Sequence, residues 1–233
     1  MHPVDAALFR PVRTGNAFEE TVERLLQAIR LGVVRVGERL PAERDLAVKL
    51  GVARVTLREA IHALAEAGYV ESRRGRYGGT FVIAPPEPGT LAGRAPVEQL
   101  DDVFILRNAL ETGAAQAAAA RTLAQDERRH LHDCLADAAA ASLTDYRRVD
   151  SRLHLAIAEV TASSSLTQAV ADARMRVNDL LDRIPLLPLN IEHSNAQHEQ
   201  IVTSILGGDP ESARQAMAEH LDGTAALLRG FLL

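Results

Sequence analysis

Four side chains in the second half of the chain are of types that a helical core does not ordinarily hold. Asp150 and His154 stand four residues apart in "YRRVDSRLHLAIAEV", beside the apolar series Val149, Leu153, Ile157 and Val160. That spacing predicts an amphipathic helix with carboxylate and imidazole one turn apart at the edge of its buried stripe. His198 shares a face with Ile201, Val202 and Ile205, and His220 sits with Ala213, Met217, Thr224 and Leu227. Three imidazoles and a carboxylate thus point inward from three helices. Each alone reads as a hydrogen-bonded core residue; together, and without partners, they cost kcal/mol apiece, whereas one shared metal ion satisfies all four. The donor set suits one divalent transition ion per chain, Zn, Ni, Mn or Fe. If six-coordinate, that ion keeps two positions open for a bidentate carboxylate, so a small organic-acid effector is expected at the same place.

A second constellation lies near the N-terminus, in "LPAERDLAVKLGVARVTLREAI", residues 40–61. Pro41 is expected to start a helix with Leu46 and Leu50 inside, Gly51 to permit a sharp turn, and a second helix to bury Leu57, Ile61 and Leu64. This is helix-turn-helix spacing. Arg54 opens the second helix and Arg58 follows one turn later on its flank, while Val55, Glu59 and His62 face outward. In such a motif the first turn of the recognition helix enters the major groove, where arginine binds guanine O6 and N7. Two short β-type runs, "YVESR" and "TFVIA", follow around the turn "RGRYGG", and Arg73, Arg74, Gly75 and Arg76 make that wing basic.

Charge is divided in the same sense. Residues 1–83 carry 13 Lys+Arg and 10 Asp+Glu, net +3, whereas the rest carries 13 and 21, net −8, making the whole −5. The first third suits a polyanion such as double-stranded DNA better than the remainder does. The sharpest change in composition is "APPEPGTLAGRAPVEQ", with four prolines and two glycines, which reads as an extended linker. The domains expected are therefore 1–83, a winged helix-turn-helix; 84–98, the linker; and 99–233, an all-α antiparallel bundle. The bundle's helices are expected over residues 100–123, 125–141, 143–162, 166–184, 191–206 and 210–232, with breaks at "TASSS", "PLLPLN" and "GGDP". Before the linker, "NAFEETVERLLQAIRLG" forms a helix with Val22, Leu25, Leu26 and Ile29 on one face and Gly32 at its end.

With 47% apolar and 24% charged residues the composition is that of a globular protein. No apolar run reaches the roughly 18 residues of a membrane span, and "MHPVDAALFRPVRTG" lacks the apolar centre of a secretory signal, so a cytoplasmic protein with no membrane partner is expected. The lone Cys134 reads as a small core residue and excludes a disulfide within the chain.

These motifs carry a family resemblance. "GERLPAERDLA" followed by "TLREA", within residues 18–83, resembles the winged helix-turn-helix of the GntR family of bacterial transcription regulators. The resemblance implies that Arg44, Arg54, Thr56 and Arg58 contact DNA, with Gly75 at the wing tip near the minor groove; the turn "RRGRYGG" is longer and richer in arginine than usual. Asp-x3-His, then His, then His 22 residues on, resembles the metal-binding branch of the FCD ligand domain found in the FadR-like subfamily, over about residues 97–228. It departs at "TASSSLTQ", where Asn-Pro is usual. In the family's R-x3-E pattern, here Arg107 and Glu111, the arginine either faces the pocket and pairs with an anionic effector or pairs with Glu111 one turn away. Asn178 and Arg174 are further candidates for that pocket. His130 and His132 are expected on or near a solvated face, and His193 exposed or at the pocket mouth.

The function these readings support is a homodimeric, ligand-responsive transcription regulator on an inverted-repeat operator, and not an enzyme. A metal-dependent hydrolase would need a general base beside the metal water, and only Asp150 offers itself; the winged helix would also lack a purpose. A metal sensor keeps the DNA binding but makes the ion the signal. A metal-free, fatty-acyl-responsive relative is opposed by the four ligand residues.

Overall fold

A computed structural model of the chain describes residues 11–12, 15–31, 33–75, 78–83 and 96–233. Among the described residues the order is α1 (Ala17–Arg30), α2 (Glu43–Leu50), α3 (Arg54–Glu66), β1 (Val70–Arg73), β2 (Gly79–Val82), α4 (Val97–Ala119), α5 (Gln125–Ala140), α6 (Tyr146–Glu159), α7 (Ser164–Leu181), α8 (Pro188–Gly207) and α9 (Pro210–Leu232). The protein is mostly α, with a winged helix-turn-helix followed by a helical bundle, as expected. Gly32, Arg76 and residues 84–95 of the expected linker lie outside the described residues. Two compact units form: Met1–Arg94 with Arg183–Asn190 and Gly223–Leu233, and Ala95–Asp182 with Ile191–Asp222.

In the first unit α1 buries Phe18, Val22, Leu25, Leu26 and Ile29 along one stripe. The C-terminal part of α9, from Gly223, also belongs to this unit: Phe231 meets Tyr69 edge-to-face at 5.8 Å, and Arg30 donates to the Phe231 carbonyl. Helix α2 starts at Glu43, two residues after Pro41, because the Ala42 carbonyl takes the first intrahelical bonds from the Asp45 and Leu46 N–H groups at 2.9 and 3.0 Å. Its end is set by Gly51, whose φ of +67° reverses the chain while the Val52 N–H returns to the Ala47 carbonyl at 3.1 Å. Leu46 and Leu50 of α2 are buried, as are Leu57, Ile61 and Leu64 of α3.

The wing pairs β1 and β2 antiparallel, with Val70 opposite Val82 and Arg73 opposite Gly79. A third extended segment, not anticipated from the sequence, lies on the other edge of β2. There Gly37 donates to Val82 at 2.8 Å, Val82 to Glu38 at 2.9 Å and Leu40 to Thr80 at 2.8 Å. At Gly79, with a φ of +147°, a Cβ would lie 2.4 Å from Arg39 Cδ, so any other residue would have to displace the Arg39 side chain.

In the second unit α6 packs on α4, α5 and α7. The core is rich in alanine: Ala114, Ala115, Ala118 and Ala119 of α4 and Ala156 of α6 pack with Leu131, Leu153, Ile157, Val170, Ile201, Ile205 and Met217. Small side chains let the helices approach closely enough for short polar contacts between them. Several helix ends differ from the expected ones for local reasons. Helix α4 stops at Ala119, so Leu123 folds back into the core, and the Glu127 carboxylate caps the Ala124 N–H at 2.8 Å. Helix α6 starts at Tyr146 because Ser142 to Asp145 closes a turn in which the Ser142 hydroxyl donates to Asp145 at 2.8 Å. Pro188 opens α8 earlier than the apolar period suggested. Before α7, Ala162 adopts a left-handed φ of 58°, and the Ser163 hydroxyl caps the Leu166 N–H at 3.3 Å. No helix among the described residues is long and apolar enough to cross a membrane.

Gly51→Ala tests the turn. Its positive φ is unfavourable for any L side chain, and the added Cβ would stand 3.2 Å from the Pro11 Cβ, so the variant should lose about 1–2 kcal/mol of stability. Denaturant midpoints of variant and wild type at equal slope measure this, and coincident midpoints would mean that the turn relaxes without strain.

Candidate metal centre and nucleic-acid interface

The second unit brings Asp150, His154, His198 and His220 together. All four are buried, and one ligand atom from each lies within 4.8 Å of the others. Asp150 and His154 come from successive turns of α6, His198 from α8 and His220 from α9. The meeting atoms are alike: His198 Nε2 is 3.3 Å from His220 Nε2 and 3.4 Å from Asp150 Oδ1, and His154 Nε2 is 3.8 Å from that same oxygen. The opposite edges of two rings are tied back. His154 Nδ1 bonds the Glu111 carboxylate, and His220 Nδ1 lies 3.1 Å from Gln197 Oε1. An acceptor at Nδ1 holds the proton there and leaves Nε2 as a lone pair aimed at the centre.

Charged groups back this cluster. Arg107 Nε donates to Glu111 Oε1 at 2.9 Å, so Glu111 joins Arg107 to His154. Arg174 donates through one nitrogen to Asp150 Oδ2 and, at 3.1 Å, to Ser151 Oγ, which also accepts from Asn178 Nδ2 at 2.9 Å. The Tyr146 hydroxyl lies 3.4 Å from Asn195 Oδ1. Burial alone would raise the Asp150 carboxyl, but Arg174, His154 and His198 outweigh it and hold the group well below the usual carboxylate range. Glu111 is held low in the same way by His154 and Arg107 against its own burial. Burial pushes His198 down to about 3 and His220 well below an ordinary histidine. At neutral pH these two rings are neutral, the form that ligates metals.

The residues fit a divalent ion. His154 Nε2 and His198 Nδ1 are buried without hydrogen-bonding partners, and His220 Nε2, whose ring is held by Gln197 at Nδ1, faces His198 Nε2 at 3.3 Å. A cation among these atoms would take the unpartnered His154 nitrogen and the lone pair of His220 together. Three imidazole nitrogens and one carboxylate oxygen match the preferences of the transition ions named above.

Of the remaining sequence candidates, Arg107 is in the buried pair with Glu111, and Asn178 sits beside Ser151. His130 is half-exposed and 3.0 Å from Glu159, and His132 is exposed. Three contributors escaped the sequence reading. Glu111 was noted only as a partner for Arg107, although the stripe Arg107, Glu111, Ala114, Ala115, Ala118 places both charges on the buried face of α4. Gln197 and Ser151 give no comparable signal, because each acts through a residue on another helix.

In the first unit Arg54 opens α3 at the surface, Val55 is exposed and Thr56 is half-buried. Arg58 Nε lies 2.7 Å from Glu43, and Arg44 Nε 3.2 Å from Asp45, both pairs at the surface. Gly75 turns the wing with a φ of +104° and open space on its Cβ side. Arg73 lies over the Phe81 ring at 4.4 Å and pairs with Glu71. An exposed helix N-terminus flanked by arginines and a β-hairpin is the geometry with which winged helices approach duplex DNA.

Comparison with known proteins agrees with both halves. Residues 18–82 match the family described as bacterial regulatory proteins, gntR family, and residues 102–223 match the FCD domain. A Mycobacterium gastri protein provisionally described as the HTH-type transcriptional regulator RmpR is 32% identical over 230 residues, covering 94% of this chain and 82% of that protein. An Escherichia coli K12 protein provisionally described as an L-lactate dehydrogenase operon regulatory protein is 31% identical over 228 residues, 91% of this chain and 86% of that protein. The solved structure of E. coli McbR/YncC shares the fold, with a TM-score of 0.50 at 20% identity over 91% of this chain and 96% of its own. Both relatives are described as regulators rather than enzymes. A winged helix of the one family followed by the helical domain of the other makes this chain a transcription regulator of the GntR family with a C-terminal FCD domain.

Proposed function

We propose that this regulator binds an inverted-repeat operator as a homodimer, and that a small organic acid changes its operator affinity by joining a divalent transition ion held by Asp150, His154, His198 and His220. The observation that carries the reading is the convergence of three Nε2 atoms and one carboxylate oxygen, with the outer edges of two rings tied to Glu111 and Gln197. When bound, such an ion supplies a Lewis acid on which a carboxylate can seat. The chain's own residues orient that seat: Glu111 and Gln197 fix the rings, Arg174 holds Asp150, and binding of the acid is assigned to Arg107 and Asn178. The printed name of the E. coli relative, which links it to an L-lactate dehydrogenase operon, supports a small hydroxy acid as the class of effector.

The DNA contacts proposed are Arg44, Arg54, Thr56, Arg58 and Gly75. Arg54 and Arg58 reach base edges from the first turns of α3, Val55 meets a thymine methyl, and the wing approaches the minor groove. The Arg58–Glu43 pair is exposed and of little net worth, so Arg58 can exchange its carboxylate for DNA. Two-fold symmetry of a dimer matches a palindromic site. The acid acts only through different affinities for DNA-competent and incompetent arrangements, a coupling of about 1–3 kcal/mol in systems of this kind.

Arg58→Ala should weaken binding to an operator selected from random duplexes by about 1–3 kcal/mol, with circular dichroism and metal content unchanged. A titration at fixed salt measures it, and wild-type affinity in a folded variant would remove Arg58 from the interface. The double variant His198→Ala with His220→Ala should purify without stoichiometric metal, melt below wild type and still bind the operator. Elemental analysis is decisive here, since equal metal in both proteins sinks the site. Asp150→Ala should blunt operator release by hydroxy acids more than it weakens operator binding. Dose–response curves at matched metal occupancy, in more than one buffer anion, test that; coincident curves would leave the ion a structural role only.

A further inference from the structure

The polar contacts behind the metal centre leave part of one guanidinium without a partner. Arg174 is 2% exposed. Its two contacts, to Asp150 Oδ2 and Ser151 Oγ, both use the same terminal nitrogen, while Nε and the other terminal nitrogen are buried with no hydrogen-bond acceptor. Asn178 Oδ1, on the same helix one turn later, is likewise buried and unpartnered, its amide nitrogen being committed to Ser151. Ser151 donates its own proton to the Arg147 carbonyl at 2.8 Å, so it accepts from both neighbours and fixes which way the Asn178 amide points. Unmade hydrogen bonds to a buried charged group are costly, which is why native proteins pair such groups almost without exception. Two donor-bearing nitrogens and one carbonyl oxygen, beside the carboxylate that faces the three imidazoles, describe a receptor for an anionic group carrying or adjoining a hydroxyl.

Charge gives an independent argument. The buried charged groups of the centre are Arg107, Arg174, Glu111 and Asp150, two of each sign, and they cancel. A divalent ion among the neutral imidazoles adds two positive charges in a place where water cannot screen them. A monocarboxylate cancels one; a dicarboxylate cancels both. An uncompensated buried charge costs several kcal/mol, so the site as loaded favours the dianion.

We propose that the effector is a hydroxy-dicarboxylate: one carboxylate seats at the metal centre and the second takes the unpartnered donors of Arg174, making Arg174 the residue that selects for two acid groups. This rests on the metal-and-carboxylate reading above and narrows it. The second carboxylate then shares one guanidinium with Asp150, so effector binding alters the support of a metal ligand.

L-Lactate and L-malate share the 2-hydroxycarboxylate and differ in the second acid group, which makes them the probes. Zinc-loaded full-length protein titrated with each by calorimetry, in phosphate-free buffer, should bind malate at least about tenfold more tightly than lactate. In Arg174→Gln protein that still binds one zinc per chain, the ratio of malate to lactate affinity should fall from about tenfold to about one. Arg174→Lys, which keeps the charge but not the guanidinium geometry, should recover part of the preference. Equal affinity of the wild type for both acids overturns the proposal and leaves the broader carboxylate reading standing, and this comparison needs no variant. A preference for malate that survives in zinc-replete Arg174→Gln overturns it as well. Absence of binding by either acid to protein that retains zinc overturns the carboxylate reading and this proposal together.

Discussion

The arrangement of the second unit follows from one constraint: four polar ligand atoms are held within 4.8 Å of one another where water does not reach them. A carboxylate and three imidazoles in such a place are affordable only if each has a partner and the charges balance. The surrounding helices supply the balancing charges and most of the partners. Helix α7 brings Arg174 to Asp150, and α4 brings Arg107 through Glu111 to His154. Each ligand of α6 is thus backed by an arginine on a different helix, directly in one case and through a carboxylate in the other. Because successive residues on a helix are rotated by about 100°, a one-residue slip of α6 would carry both ligands off the centre and strand two buried arginines. The site therefore fixes the register of the helices that build it, in addition to whatever the apolar core specifies.

The same geometry sets the protonation states that the site needs. Histidine ligates as a neutral ring through a free nitrogen, and the structure secures both conditions by ordinary means. Burial keeps His198 and His220 neutral far below physiological pH, so no proton has to leave them when an ion arrives. Acceptors at Nδ1 decide which nitrogen is free on His154 and His220. Asp150 remains a carboxylate despite its burial because Arg174 stands against its far oxygen. This leaves Oδ1 for the centre and makes Arg174 a part of the site even where it touches no ligand atom other than Asp150.

Much of this could be read in the chain before any fold was known, and the exceptions have a common cause. Asp150 and His154 were legible because a four-residue interval on an apolar helix needs no tertiary information, and His198 and His220 because each interrupts an apolar face. The recognition helix was legible for the same reason: Gly51 and the leucines around it define two short helices and the turn between them. What the spacing could not reveal depends on pairings between distant segments. The contacts of Gln197 with His220 and of Arg174 with Asp150 join residues on different helices and require the bundle to be assembled first. The third wing segment at Gly37 to Leu40 is of the same kind, since its polar and apolar residues carry no alternation and only β2 gives it extended form. Helix ends at Leu123, Leu143 and Pro41 were misplaced because apolar period does not report local caps. The start of α6 is set by the Ser142–Asp145 turn and that of α2 by the Ala42 carbonyl, while Glu127 caps the start of α5 at Ala124.

The two halves of the chain use charge in opposite ways, and the contrast fits a DNA-binding surface in the first and the proposed acid-binding site in the second. In the first unit Arg44, Arg58 and Arg73 each rest on a surface carboxylate, and exposed pairs of this kind are worth so little that a phosphate or base edge can replace the carboxylate at small cost. Their value lies in being exchangeable. In the second unit Arg107 and Arg174 are buried and their pairs are tight, so exchanging a partner there is a large perturbation that only a ligand of matching charge and shape can offset. Cheap exchange suits a DNA-binding surface; costly exchange would make the proposed effector site selective for charge and shape. The net +3 of residues 1–83 and the net −8 of the remainder reinforce the division by steering DNA to the winged helix and away from the bundle.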